Sequence, residues 1–230
     1  MDLAKARIHG EKDHARVVTI GTLPSLSSSV IPLAVGRWKE RHPRALLRVV
    51  EKVQVELLLG LLRCEFDFIV GQTEFFDIFL DGMKQRVLFR DRLCVFARPK
   101  HSLFLLESLS WDDLVQFPWV CPMVGWSQRT ILEKLVASEG VDPPQKLVEC
   151  SSIDFTKSLV ATSDHLAMLP AHAVTAEVSE GKIRPLAITV SALKRDIAVI
   201  FREGAPLDSV SRELIAHIED IGVTLSRGGS

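Results

Sequence analysis

The sequence predicts an α/β protein made of two β-α-β units of similar design. Three observations carry this. Residues 17–71 alternate short β-branched runs with apolar-faced helical stretches in the order β-α-β-α-β, and residues 119–186 repeat that order without repeating the sequence. A final strand and amphipathic helix, Asp196–Phe201 and Val210–Ile221, then return toward the first unit. Right-handed crossovers make each unit a parallel sheet with helices on its faces. The segments near Met83–Asp91 and Ala187–Arg195 are the natural connections between the units, and a cleft between them is the default seat for a small ligand.

Val17 to Ile20 is a β-branched run that favours a buried strand, and Gly21 and Pro24 break it. The hydroxyls of Thr22, Ser25, Ser27 and Ser28 lead into a helix that ends near His42-Pro43. Ser28 or Ser29 can cap that helix, with Pro32 in its first turn. A strand turning directly into a helix aims unpaired N–H groups at the turn, a seat for a carboxylate or polyol; equally, the serines could satisfy only their own backbone. Ala45–Glu51 is the next strand, Gln54–Cys64 a helix with Leu57, Leu58, Leu61 and Leu62 on its apolar face, and Phe66–Gly71 the third strand. Ligands of such sheets sit outside the strand carboxyl ends, here Thr22–Ser27, Lys52–Val55 and Gly71–Thr73.

Gln85–Phe89 and Leu93–Ala97 read as two strands separated by Arg90-Asp91-Arg92, and Arg98–Ser102 as a turn. Trp111–Val115 is a short helix and Trp119–Cys121 a short strand. Ser127 is the expected cap of helix Gln128–Glu139, whose apolar face carries Ile131, Leu132, Leu135 and Val136. Lys146–Cys150 is a strand, and Ser151-Ser152 precede helix Ile153–Thr162. Strand Leu166–Leu169, helix Pro170–Glu180 and strand Ile183–Leu186 complete the second unit.

Composition narrows the function classes. At 47% hydrophobic and 25% charged residues the chain is an ordinary globular protein, and its net charge of −1 without a Lys/Arg block argues against a nucleic-acid surface. No apolar run is long enough to span a bilayer, and residues 1–13 lack the apolar core of a signal peptide, so a cytoplasmic location is expected. Cys64, Cys94, Cys121 and Cys150 form no CxxC pair and read as small buried residues; redox sensing through Cys121 and Cys150 lacks a neighbour to depress a thiol pKa. The seven histidines show no metal spacing, so no metal or cofactor is expected. Gly125-Trp126-Ser127-Gln128-Arg129 lacks the second glycine of a nucleophile elbow, and no catalytic residue is assigned.

In this order the motifs resemble the effector-binding domain of LysR-type transcriptional regulators over Ala15–Gly222. They are Val18-Thr19-Ile20-Gly21 before the Pro32-Leu33 helix start, Arg41-His42-Pro43, Leu57-Leu58 with Leu61, and Glu65–Gly71, which is similar to the family's Gly-Glu-Leu-Asp-Leu-Ala-Ile. Arg98–Leu103, Val148–Ser152 and Leu166–Pro170 match second-unit signatures. Phe117–Val120 and Ser163-Asp164-His165 look closest to the subgroup regulating aromatic-acid and sugar operons. The resemblance implies a type 2 periplasmic-binding-protein fold of two lobes: 15–88 plus 190–223 as lobe I, 89–189 as lobe II, 1–14 as the remnant of a linker helix and 224–230 as a disordered tail. The family's winged helix-turn-helix has no counterpart here, so DNA would be bound only by a missing N-terminal part of a longer parent.

The resemblance places a ligand between Pro24, Ser25, Leu26, Val53, Gln54, Gly71 and Gln72 of the first lobe and Gly125, Trp126, Ser127, Ser152, Ile153 and Asp154 of the second. Ser127 and Ser152 also sit at helix N-termini, where orphan N–H groups favour an anion without any arginine. Trp126 would either stack on an aromatic ring or pack over the cleft mouth, and Asp154 is a first-turn helix charge as readily as a contact. The expected function is sensing a small organic acid, aromatic carboxylate or sugar to control transcription; a transport solute-binding protein is the alternative, and a two-lobed enzyme a further one. The resemblance also implies a homodimer, and a tetramer of the full-length parent, through Val30, Ile31, Ala34, Val35, Trp38, Leu214 and Ile218; the plain alternative is that these residues only pack on the sheet.

Overall fold

The computed structural model describes residues 17–73, 81–124, 126–188 and 194–227; the side chains of Ser127 and Arg227 lie outside that description. The expected linker-helix remnant at 1–14 falls outside it, as do Gly125 and 228–230.

The first lobe is built on β1 (Val17–Thr22), which pairs in parallel with β2 (Leu46–Glu51) on one side and β3 (Phe68–Gln72) on the other. Between them run α1 (Pro24–Ser27), α2 (Val30–Arg41) and α3 (Gln54–Leu62). β3 then pairs antiparallel with β9 (Lys194–Arg202), and β9 with β4 (Met83–Ala97). All five β3 residues are buried, as expected of a strand covered on both faces.

β4 departs from the reading above. It is one strand of 15 residues, with an irregularity between Val87 and Phe89, where the sequence suggests two strands separated by a charged triplet. Arg90-Asp91-Arg92 does not break the strand because β9 lies opposite: Arg90 faces Asp196 and Asp91 faces Arg195 across the ladder. Opposite charges facing across two strands are satisfied in place, so a charged triplet need not leave the sheet.

Past that triplet β4 enters the second lobe, where it pairs with β7 (Ala167–Pro170) and β8 (Arg184–Pro185). β5 (Trp119–Cys121) and β6 (Leu147–Glu149) pair in parallel, and Trp119 bridges to Leu166 beside β7. The lobe's helices are α4 (Trp111–Val115), α5 (Ser127–Ser138), α6 (Ile153–Thr162) and α7 (Thr175–Ser179). A 3-10 turn at Ala171–Val174 occupies the first half of the expected helix 170–180. Pro170 is still in the sheet opposite Leu93, so no helix can start before it.

The final helix, α8 (Ser209–Arg227), crosses back to the first lobe and runs past Ile221, so residues 224–227 are helix rather than tail. It packs on α2, where the Trp38 indole donates to the Val210 carbonyl at 3.1 Å. One apolar core gathers Val18, Ile20, Trp38, Leu57, Leu61, Phe68, Ile197, Leu214 and Ile218 from both ends of the chain. A separate one gathers Leu93, Trp111, Trp119, Leu132, Val136 and Leu166.

That first core corrects the expected dimer surface. Val30, Ile31, Ala34, Trp38, Leu214 and Ile218 are buried within this chain, and Val35 packs against them. The wide apolar band of α2 exists because two layers cover it, the sheet and α8. The apolar residues left in solvent there are Leu33 on α2 and Leu46 and Val49 on β2.

Two helix starts also differ from expectation. Ser29 occupies the N-cap of α2, but its hydroxyl donates to the Ser25 carbonyl at 2.7 Å and meets His172 Nδ1 at 2.9 Å instead of capping. Trp126, not Ser127, is the N-cap of α5, with Ser127 the first helical residue. Ser152 caps α6 as its sequence suggests, accepting from the Phe155 N–H at 3.3 Å.

Candidate functional site

A cavity of about 220 Å³ lies between the lobes at the carboxyl ends of their strands. A cavity of about 150 Å³ suffices for benzene, so this one has room for a small organic molecule somewhat larger than that.

Its first-lobe wall is Leu23, Pro24, Ser25, Val53, Gln54, Val55 and Gln72. Its second-lobe wall brings Val120, Pro122, Val124, Trp126 and Gln128 together with Cys150, Ser151, Ser152, Ile153, Thr156, Met168 and Leu169. Arg195, on a crossover strand, completes it. Most of this lining is apolar, and the polar groups gather at helix starts. The N-termini of α3, α5 and α6 border the cavity, each with backbone N–H groups that no intrahelical carbonyl accepts.

Of the residues expected from sequence, Pro24, Ser25, Val53, Gln54, Gln72, Trp126, Ser152 and Ile153 lie on these walls. Leu26 does not, because it is wholly buried in the first core. Gly71 lies behind Gln54, where a Cβ would overlap the Gln54 side-chain amide. That amide is already committed: its Nε2 donates to the Gln72 carbonyl at 3.1 Å and its Oε1 accepts the Gln72 N–H at 3.0 Å. Gln54 therefore shapes the wall by clamping the end of β3. Asp154 faces solvent and pairs with Lys157 at 3.3 Å, the helix-charge alternative. Gly125 and the Ser127 side chain are outside the described residues.

Arg195 is the residue that sequence reasoning missed, since the anion seat was expected without any arginine and one stands on this wall. Its Nε donates to Asp91 Oδ2 at 2.8 Å and its Nη2 lies 2.7 Å from the same oxygen. Asp91, 1% exposed, also accepts the Arg92 N–H at 2.7 Å and faces His172 Nε2 at 3.4 Å. Burial pushes the Asp91 carboxyl up, but the Arg195 charge and then the His172 contact outweigh it and bring the pKa down to about 2. Ser29 Oγ stands between the Ser25 carbonyl at 2.7 Å and His172 Nδ1 at 2.9 Å. A polar chain thus runs from the cavity wall at Ser25 through Ser29, His172 and Asp91 back to the wall at Arg195. The available signal was charge inside two strand-like segments, 90–92 and 194–196, which only makes sense if they pair.

Thr156 is a second residue missed. It stands one turn beyond the Ser152 cap and donates to the Ser152 carbonyl at 3.0 Å. Cys150 also reaches the cavity, its sulfur accepting the Ser152 N–H at 3.4 Å. Cys121 is buried, and burial pushes its thiol up to about 11 despite Arg129 beside it.

Two α/β lobes joined by a pair of antiparallel crossover strands, with a cavity where helix N-termini converge, define a two-lobed small-molecule-binding domain of the type 2 periplasmic-binding-protein fold. The family model of the LysR substrate binding domain matches residues 11–221, and the chain belongs to that family. It is 28% identical over 206 residues to the HTH-type transcriptional regulator GalR of Pseudomonas putida, covering 89% of this chain and 51% of that protein. It is 24% identical over 202 residues to the uncharacterized HTH-type transcriptional regulator YdcI of Escherichia coli, covering 88% of this chain and 65% of the relative. The chain thus spans about half to two thirds of these relatives' length. Among solved structures, the CcmR regulatory domain of Synechocystis in complex with 2-PG superposes with a TM-score of 0.75 at 16% identity, covering 90% of this chain and 97% of that one. A point mutant of full-length BenM gives 0.71 at 17%, covering 96% and 72%. No helix among the described residues is long and apolar enough to cross a membrane.

Proposed function

We propose that this chain senses a small organic acid, with an aromatic or short aliphatic body, for a transcription regulator that binds DNA through parts outside this chain. The observation that carries the reading is the convergence of the α3, α5 and α6 N-termini on one largely apolar cavity. Helix N-termini favour negative charge, and Val120, Pro122, Met168 and Leu169 favour an apolar body over the hydroxyl-rich surface of a sugar. Trp126, half-buried on the wall, offers a face for a ring. Ligand would act by shifting the relative pose of the lobes, whose only strand connections among the described residues are β4 and β9.

We further propose that the regulator works as a homodimer in the bacterial cytoplasm. Leu33, Leu46 and Val49 are exposed apolar residues beside the outer edge of β2, which pairs with β1 alone among the described residues, and this supports pairing of the edge with a second copy.

Thermal-shift and calorimetric screening against aromatic acids, aliphatic acids and sugars tests the ligand class. Saturable stabilisation by an acid, unchanged ligand on recovery and weakening in Trp126→Ala are expected. Stabilisation by sugars alone, or turnover of the ligand, would overturn the reading.

A further inference from the structure

The cavity wall holds one charged side chain among the described residues, and it is Arg195. The Arg195 side chain is 9% exposed and no carboxylate stands on its ligand side among the described residues, since Asp91 lies in the interior and does not line the cavity. Its Nη2 makes a close ion-pair contact with Asp91 without an aligned hydrogen bond, so Asp91 does not use up the hydrogen-bonding capacity of the guanidinium. Buried donors in that position are normally satisfied, and leaving one unmade is costly. A guanidinium fork also matches a carboxylate in plane and spacing, as an ammonium does not.

Resting on the cleft reading above, we propose that Arg195 is the residue that selects the effector's charge: it accepts a carboxylate from the cavity side while Asp91 holds it from behind. Asp91 then has two functions. It compensates a buried cation when no ligand is present, and it aims the guanidinium, with His172 and the Arg92 N–H steadying its carboxylate. The cavity consequently prefers a carboxylate to the isosteric carboxamide by more than the helix N-termini alone would give, and the added preference resides in one side chain that belongs to neither lobe's helices.

Cys150 lets this be tested without knowing the effector, because its thiol lines the same cavity. The probes are iodoacetate and iodoacetamide, which alkylate a thiolate with loss of iodide and differ in carrying a carboxylate or an amide. Rates at Cys150 are read by peptide mass mapping, and exposed Cys64 serves as the reference. In the unaltered chain the iodoacetate-to-iodoacetamide rate ratio at Cys150 should exceed that at Cys64 by about threefold or more, the effect of one nearby charge at intermediate dielectric. In Arg195→Gln it should fall by about threefold, toward the Cys64 value, leaving only what the helix N-termini contribute. Asp91→Asn/Arg195→Gln, which leaves no buried charge unpaired, should behave the same and carries the test if the single variant does not fold. An unchanged ratio at Cys150 in the double variant would overturn the assignment of Arg195 while leaving the cleft reading intact. Failure of both reagents at Cys150 while Cys64 reacts would mean that small molecules do not enter, and would overturn both.

Discussion

Asp91 and Arg195 stand opposite each other on the two strands that join the lobes, with Nη2 of the arginine 2.7 Å from Oδ2 of the aspartate. The pair is interior, so its loss is felt in stability as well as at the cavity. A carboxyl held at about 2 in the folded chain against an ordinary 3.8 favours folding when ionised. Its contribution is complete above about pH 4 and is lost as pH falls through about 2, amounting to roughly 2 kcal/mol. Urea unfolding between pH 5 and 2 should show this decline, and Asp91→Asn should flatten it. Asp91→Asn should also cost about 3–5 kcal/mol at neutral pH, because it strands the Arg195 charge. Equal acid sensitivity in both chains would contradict the assignment.

Gly222, near the end of α8, packs so closely on Phe89 that a Cβ there would overlap the ring. Phe89 is 4% exposed and cannot swing into solvent. Gly222→Ala should therefore destabilise by about 1–3 kcal/mol despite alanine's better helix propensity. In a chain of this size that lowers Tm by roughly 2–10 °C. A neutral or stabilising result would mean that α8 sits further from β4 than described.

The Gln54 clamp gives a third test. Gln54→Leu keeps the bulk but removes both partners of the Gln72 backbone, so about 1–3 kcal/mol should be lost at a buried site. Gly71→Ala should disturb the same clamp from the other side, and the double variant should cost less than the sum of the singles. Strict additivity would show that the two positions do not share a contact.

Thiol reactivity separates the cysteines. Cys64 is exposed, whereas Cys121 is 2% exposed with its thiol pushed up to about 11. With neutral iodoacetamide at pH 8, Cys64 should be consumed while Cys121 stays intact until the chain unfolds. Loss of Cys121 at the rate of Cys64 would refute its burial.

The edge of β2 bears on assembly. Sedimentation velocity should show a dimer that Leu46→Glu or Val49→Glu converts to monomer, since both replace exposed apolar contact with charge. A monomer mass that does not change with concentration would remove the dimer proposal.

The elements were legible because their signals are local. β2 and α6 fall within a residue of the stretches read from a β-branched run and a Ser152 cap, while β1 runs two residues past Ile20, through the Gly21 expected to break it. Errors arose where a neighbour outvoted the local pattern. Arg90-Asp91-Arg92 reads as a break between strands until β9 is placed beside it, and Ser29 reads as a cap until His172 arrives from the other lobe. The apolar band of α2 reads as a surface for a partner until α8 covers it.

The sequence by itself determined the order of strands and helices, the two-unit plan and the hydroxyl- and glutamine-bearing junctions that face the cleft, because periodicity, capping and turn chemistry act over a few residues. Only the tertiary structure decided that Arg195 reaches the cavity, that Asp91 holds it and that Leu26 does not take part. The arginine and aspartate are 104 positions apart, and burial, ion pairing and a cavity wall arise from groups that meet only when the chain is folded.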